Sequence, residues 1–141
     1  MTPPHYGPPI TLAQARAVMA AAEAEALAHD WPMAIAIVCS GGHLVMLHAL
    51  DQVQHGSVPV AQDKARTAVN FRRPGKVFED AVASGGLGWR LLGMSNLLPL
   101  DGGLPLIVDG RVVGAIGVSG MQSTQDAQVA AAGVAAIAVP S

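Results

Sequence analysis

The sequence predicts a three-layer α/β/α domain built on a mainly antiparallel sheet. Two hairpin signals and the apolarity of the strands predict it. Asp109-Gly110 lies between the apolar runs Leu104–Val108 and Arg111–Val118. Asp-Gly suits a two-residue type I′ turn, whose central residues both need positive φ. Ser40-Gly41-Gly42 lies likewise between Met33–Cys39 and His43–Leu50. Strands joined by hairpins pair antiparallel, whereas helical crossovers would make them parallel. The third signal is that His43–Leu50 is apolar on both sides. Leu44, Met46, His48 and Leu50 share one face, and Val45, Leu47 and Ala49 the other. Such strands are expected to be covered above and below by helices.

Each remaining element has its own signal. Residues 1–9 hold four prolines and read as an extended arm before a single domain at 10–141. Thr11 with Gln14 forms a capping box, so helix 1 is expected over Leu12–Ala28, ending before His29-Asp30 and Pro32. Gln52–Ser57 reads as a loop, with Ser57 capping a second helix from Val58 to about Phe71 that Pro74 stops. A short third helix is expected over Lys76–Ser84. Ser84–Gly103 carries six glycines and reads as irregular, with at most one short strand near Leu97. After Ser119-Gly120, Ser123 is expected to cap a last helix over Gln122–Ala138, with Asp126 as its capping partner.

Composition narrows the functional classes. The chain has 141 residues, enough for one domain with a full core. It is 51% hydrophobic and only 13% charged, which predicts faces buried against copies of itself. No apolar run reaches the length of a membrane span, and the N-terminus lacks the basic and apolar regions of a secretory signal. A net charge of −2 argues against nucleic-acid binding. Cys39 is the only cysteine, which excludes an intrachain disulfide and fits a reducing cytoplasm. Buried, it is an inert small hydrophobe; beside a cation or helix terminus it would be a nucleophile.

Charge placement marks a candidate site. Five of the eight Lys and Arg residues fall between Lys64 and Lys76. They form either a solvated helix face or an anion site, in which Arg72 or Arg73 offers a carboxylate a bidentate fork. The Gly102-Gly103 turn stands as its backbone complement. Lys64 is a salt-bridged surface cation in one reading; in the other it lies in a pocket, where it binds a carboxylate or forms an imine. His43 follows a turn. His48 is either a locally satisfied core histidine or a ligand or base, since imidazole serves each role. His55 lies in the loop before helix 2. Trp89 and Met94 either line a pocket or belong to the core. No two histidines have the i, i+4 spacing of a helical metal pair, and no metal assignment follows.

The order of elements, with GGHLV at Gly41–Val45, KARTA at Lys64–Ala68, FRRP at Phe71–Pro74, GGLPL at Gly102–Leu106, VVGAIGVSG at Val112–Gly120 and the closing QDAQVAAAG, resembles the GlcG/HbpS-like haem-binding family. The resemblance runs from about Ile10 to Ile137. It implies a profilin-like fold with a five-stranded antiparallel sheet between helices. It also implies assembly into dimers or higher rings, and a place in catabolic gene clusters. The chain departs from the family pattern at three points. Cys39 and Ala127 stand where carboxylates are common, and Pro74-Gly75 where Pro-Thr is common.

Two functions are consistent with these residues. One is an oligomeric binding protein for haem or another small carboxylate-bearing anion, held by Arg72 or Arg73 with Gly102, Gly103, His48 and Trp89 around it. The other is a small enzyme acting on a carboxylate, with Lys64, His43 or Asp126 as acid or base and glycine turns as oxyanion donors.

Overall fold

A computed structural model describes residues 3–138. In order it contains α1 (Leu12–Ala28), β1 (Ala34–Cys39), β2 (Leu44–Ala49), α2 (Ser57–Phe71), α3 (Lys76–Ala83), a 3₁₀ helix (Gly86–Gly93), β3 (Gly103–Val108), β4 (Arg111–Ser119) and α4 (Ser123–Ala135). The sheet runs β2-β1-β4-β3 and every pairing is antiparallel. Both predicted hairpins form. Asp109 and Gly110 take φ of 52° and 74°, the two positive values the turn requires. The Thr11–Gln14 capping box closes in both directions, at 3.1 and 2.9 Å.

Helices cover both faces of the sheet. Ile35 and Ile37 of β1, with Ile116 and Val118 of β4, face α1 and α4 and are buried with Val18, Met19 and Val129. Burying each of these large aliphatic side chains contributes about 1.5–3 kcal/mol. The opposite face is made of smaller groups. Ala34, Ala36 and Val38 of β1 and Ala115 of β4 meet Ala61, Ala65 and Ala68 of α2. Small residues on both sides bring the helix close to the sheet. The closest point is Gly117, where a Cβ would stand 2.0 Å from Ala61 O and 2.5 Å from Ala65 N.

Several local expectations are corrected. Among the described residues the sheet has four strands, not five. No strand forms near Leu97; the preceding stretch winds into the 3₁₀ helix, and Leu98 N donates instead to the Thr67 hydroxyl at 2.8 Å. Ser57 is the first residue of α2 rather than its cap, and its hydroxyl accepts from Gln54. Ser123 is likewise inside α4. Gln122 and Gln125 make the capping box there, because the Asp126 side chain is engaged elsewhere. The helix ends at Ala135, short of the expected Ala138. β2 is an edge strand and is half exposed, whereas both its faces were expected to be covered. The proline-rich arm is tied down: Gly7 N donates to Val112 O and Val112 N donates to His5 O, both at 2.9 Å.

Gly117→Ala should therefore destabilise the fold by about 1–3 kcal/mol, the range for overpacking a closed contact. Gly93→Ala, at a position with no neighbour within 4 Å, should stay within about 0.5 kcal/mol of the parent. Urea midpoints at constant m-value measure both.

Candidate ligand pocket and the buried Lys64–Asp126 pair

The site grows out of the end of α2. Pro74 prevents the helix from continuing, and Arg72 takes a left-handed conformation, with φ 55° and ψ 40°. That reversal turns the two arginines to different tasks. Arg72 Nη1 donates to Pro4 O at 3.2 Å, and its guanidinium lies over the Tyr6 ring, 5.4 Å from the centroid. Tyr6 in turn donates its hydroxyl to Val69 O at 2.7 Å. Arg72 thus fastens the arm to the end of α2. Arg73 is exposed. Its Nε donates to Phe71 O at 3.0 Å, and its two terminal amino groups have no partner among the described residues.

Between the arm, the α2–α3 turn and β3 lies a pocket of about 490 Å³. Its walls are apolar: Pro3, Pro4, Pro74, Val77, Leu104 and Ile107, with Arg72 and Arg73 at its polar part. Gly75 N donates to Gly103 O at 3.0 Å, which holds the α2–α3 turn against the start of β3.

A second constellation lies in the interior. Lys64 and Asp126 are 3% and 2% exposed. Lys64 Nζ reaches Asp126 Oδ2 at 3.0 Å and donates to Val118 O at 2.9 Å. Asp126 Oδ1 accepts from Met121 N at 3.0 Å. Burial pushes the Asp126 carboxyl above the ordinary carboxylate range, against the opposing pull of the Met121 N–H and the Lys64 ammonium. Gly102, at φ 115°, passes directly over this pair. A Cβ there would lie 2.9 Å from Lys64 Nζ and 3.1 Å from Asp126 Cβ.

The candidate residues therefore separate. Arg72 and Arg73 share the apolar pocket. Gly102 and Gly103 lie against Lys64, while Leu104 beside them reaches the pocket wall. Lys64 and Asp126 are together but enclosed. His43 is exposed beyond the β1–β2 turn. His48 is also exposed, and its Nδ1 meets the Glu23 carboxylate of α1, so it is not the core histidine of one reading. Trp89 is 63% exposed on the 3₁₀ helix, its ring against Gly85. Cys39 is half-buried against the α1–α4 core. Sequence reasoning missed Pro3, Pro4 and Tyr6 as site residues. The signal available was a tyrosine within a run of prolines, next in space to nothing that local spacing reveals.

Lys64→Met should cost about 3–5 kcal/mol, because it strands a buried carboxylate. Lys64→Met with Asp126→Leu should recover most of that loss. The single variant's deficit should shrink as pH falls toward the raised Asp126 pKa, since a neutral carboxyl needs no counter-ion. Chemical denaturation at two pH values measures all three effects.

Comparison with known proteins bears out the resemblance. The profile of the family described as haem degrading protein HbpS-like matches residues 10–135. GlcG of Escherichia coli K12 is 40% identical over 105 residues, covering 74% of this chain and 77% of that protein. Klebsiella pneumoniae ORFY superposes with a TM-score of 0.89 at 26% identity, covering 100% of this chain and 99% of its own. The PduOC–haem complex superposes with a TM-score of 0.84 at 25% identity, covering 94% and 97% of the two chains. With this match over nearly the whole described domain, the chain belongs to the HbpS-like family.

Proposed function

We propose that this protein binds an apolar small molecule carrying a carboxylate, with the proline-walled pocket holding its body and Arg73 its charge. The observation that supports this reading is a guanidinium whose two terminal amino groups have no partner among the described residues, beside about 490 Å³ of apolar space. Apolar walls with few polar groups are the usual chemistry of small-molecule sites. Arg72 contributes by fixing the arm that forms one wall.

Haem fits this pocket only in part. Its propionates suit Arg73 and its ring suits the prolines and aliphatic side chains. Iron, however, takes an imidazole, thiolate, thioether or phenolate, and among the described residues the lining contains no His, Cys, Met or Tyr. A ligand held by charge and burial, without metal ligation, accords better with these residues. An acid/base role for Lys64, Asp126 and His43 has less support. The first two neutralise each other away from solvent, and His43 stands apart at the hairpin. A cytoplasmic setting, consistent with the lone Cys39, belongs to the same proposal. Among the described residues no helix is long and apolar enough to cross a membrane.

Titration with haemin and with metal-free protoporphyrin IX tests the proposal. Both should bind with similar affinity, and Arg73→Ala should weaken each by about 10- to 150-fold, the loss of one charged hydrogen bond. A sharp Soret band specific to haemin, abolished by a single histidine substitution, would instead show ligation outside this pocket. Unchanged affinity in Arg73→Ala would likewise overturn the assignment.

A further inference from the structure

A second cleft runs along α2 and shares no lining residue with the apolar pocket. Asp63, Arg66, Thr67 and Asn70 stand at i, i+3, i+4 and i+7, so they share one face of the helix. The segment Ser95–Leu98, which follows the 3₁₀ helix, lies against that face. Between them is a cavity of about 240 Å³, smaller than the usual drug-sized site.

The frame of the cleft is fixed by folding. Thr67 is buried and its hydroxyl is committed twice, donating to Asp63 O at 2.8 Å and accepting from Leu98 N at 2.8 Å. Leu97 is buried and anchors the segment. The polar groups around the cleft are not committed in this way. The side chains of Asp63, Arg66, Asn70, Ser95 and Asn96 have no hydrogen-bond partner among the described residues. Arg66 Nη1 and Asp63 Oδ1 approach only to 3.7 Å, too far for a hydrogen bond. These two side chains are 41% and 58% exposed, so the ion pair between them holds them weakly.

We propose that this cleft binds a small zwitterion of the α-amino-acid class, with Arg66 taking its carboxylate and Asp63 its ammonium. The site is independent of the apolar pocket and of the ligand proposed there. The class of occupant follows from charge. The cleft carries one cation and one anion side by side. A simple anion that reached Arg66 would also meet the Asp63 carboxylate, and a simple cation at Asp63 would also meet the Arg66 guanidinium. Each would gain one attraction and one repulsion. A molecule with both charges gives each side chain a closer partner and leaves the site neutral. A guanidinium offers a carboxylate two parallel N–H donors, and an ammonium has three donors to divide between Asp63 and the amide oxygens of Asn70 or Asn96.

Calorimetric titration with glycine, L-alanine, L-serine, L-asparagine and L-glutamine in turn gives the test. At least one should bind with one-to-one stoichiometry, and glycerol, which has hydroxyls but no charge, should not. The amine that lacks the carboxylate of the bound amino acid, and the hydroxy acid that lacks its ammonium, should each bind about 10-fold or more weakly. Arg66→Met should weaken the amino acid by about as much, and Asp63→Asn should also remove its advantage over the hydroxy acid. Circular dichroism checks that both variants keep the fold. Heteronuclear NMR of the wild type covers the case in which one does not: amide shifts on titration should centre on Asp63–Asn70 and Ser95–Leu98. No binding of any of these amino acids, equal binding of the hydroxy acid or of glycerol to the wild type, affinity unchanged in folded Arg66→Met or Asp63→Asn, or shifts centred elsewhere would each overturn the proposal.

Discussion

The close approach of α2 to the sheet is the constraint on which the other features depend. Helices ordinarily stand off a sheet by the length of their side chains. Here Ala61, Ala65 and Ala68 face alanines and Gly117, and the helix backbone comes within reach of β4. Only at that distance does Lys64, buried on α2, reach the carbonyl of Val118 and the carboxylate of Asp126. The same approach places Gly103 under the Lys64 backbone, where a Cβ would stand 2.4 Å from Lys64 O. The start of β3 therefore follows from the position of α2, and β3 supplies a wall of the pocket.

The Lys64–Asp126 pair ties the two outer layers together. Lys64 belongs to the helix on one face of the sheet, and Asp126 to the first turn of the helix packed on the other. They meet at the end of β4, where the chain leaves the sheet. Removing two charges from water costs several kcal/mol per ion, and their attraction offsets this only when the geometry is good and the remaining groups are bonded. Both conditions hold: each charged group also has a backbone partner. The net gain in stability is accordingly small, and the effect is one of position. A different seating of α4 would leave a buried charge unpaired, so the pair selects one arrangement of the layers.

What was legible in the sequence divides along the same line. Elements with local signals were readable. The Asp109-Gly110 turn, the Thr11–Gln14 box and the stop at Pro74 depend on neighbours within a few residues. So was the family, whose words at Gly41–Val45, Phe71–Pro74 and Val112–Gly120 are each contiguous. Features set by tertiary contact were not. Ser123 and Ser57 are reasonable caps by type, yet Asp126 is drawn to Lys64, 62 positions away, and Gln122 takes the cap. The edge position of β2 depends on strand order, which alternation of apolar residues does not encode. The cluster of cations from Lys64 to Lys76 was visible, but its members have unlike fates. Lys64 points into the protein, Arg72 holds the arm, and the terminal amino groups of Arg73 have no partner among the described residues.

That division of labour explains why two adjacent arginines are not duplicates. A guanidinium committed to a carbonyl and an aromatic ring offers little to a ligand, because binding would first break those contacts. Arg72 meets both conditions, through Pro4 O and Tyr6. The chain reverses at Arg72 in a left-handed turn, and Arg73 donates only its Nε, to Phe71 O, so its terminal donors have no partner among the described residues. Fixing the arm with one arginine means the apolar wall exists before a ligand arrives. The entropy of ordering residues 3–6 is then borne by folding rather than by binding, which favours affinity for a small ligand.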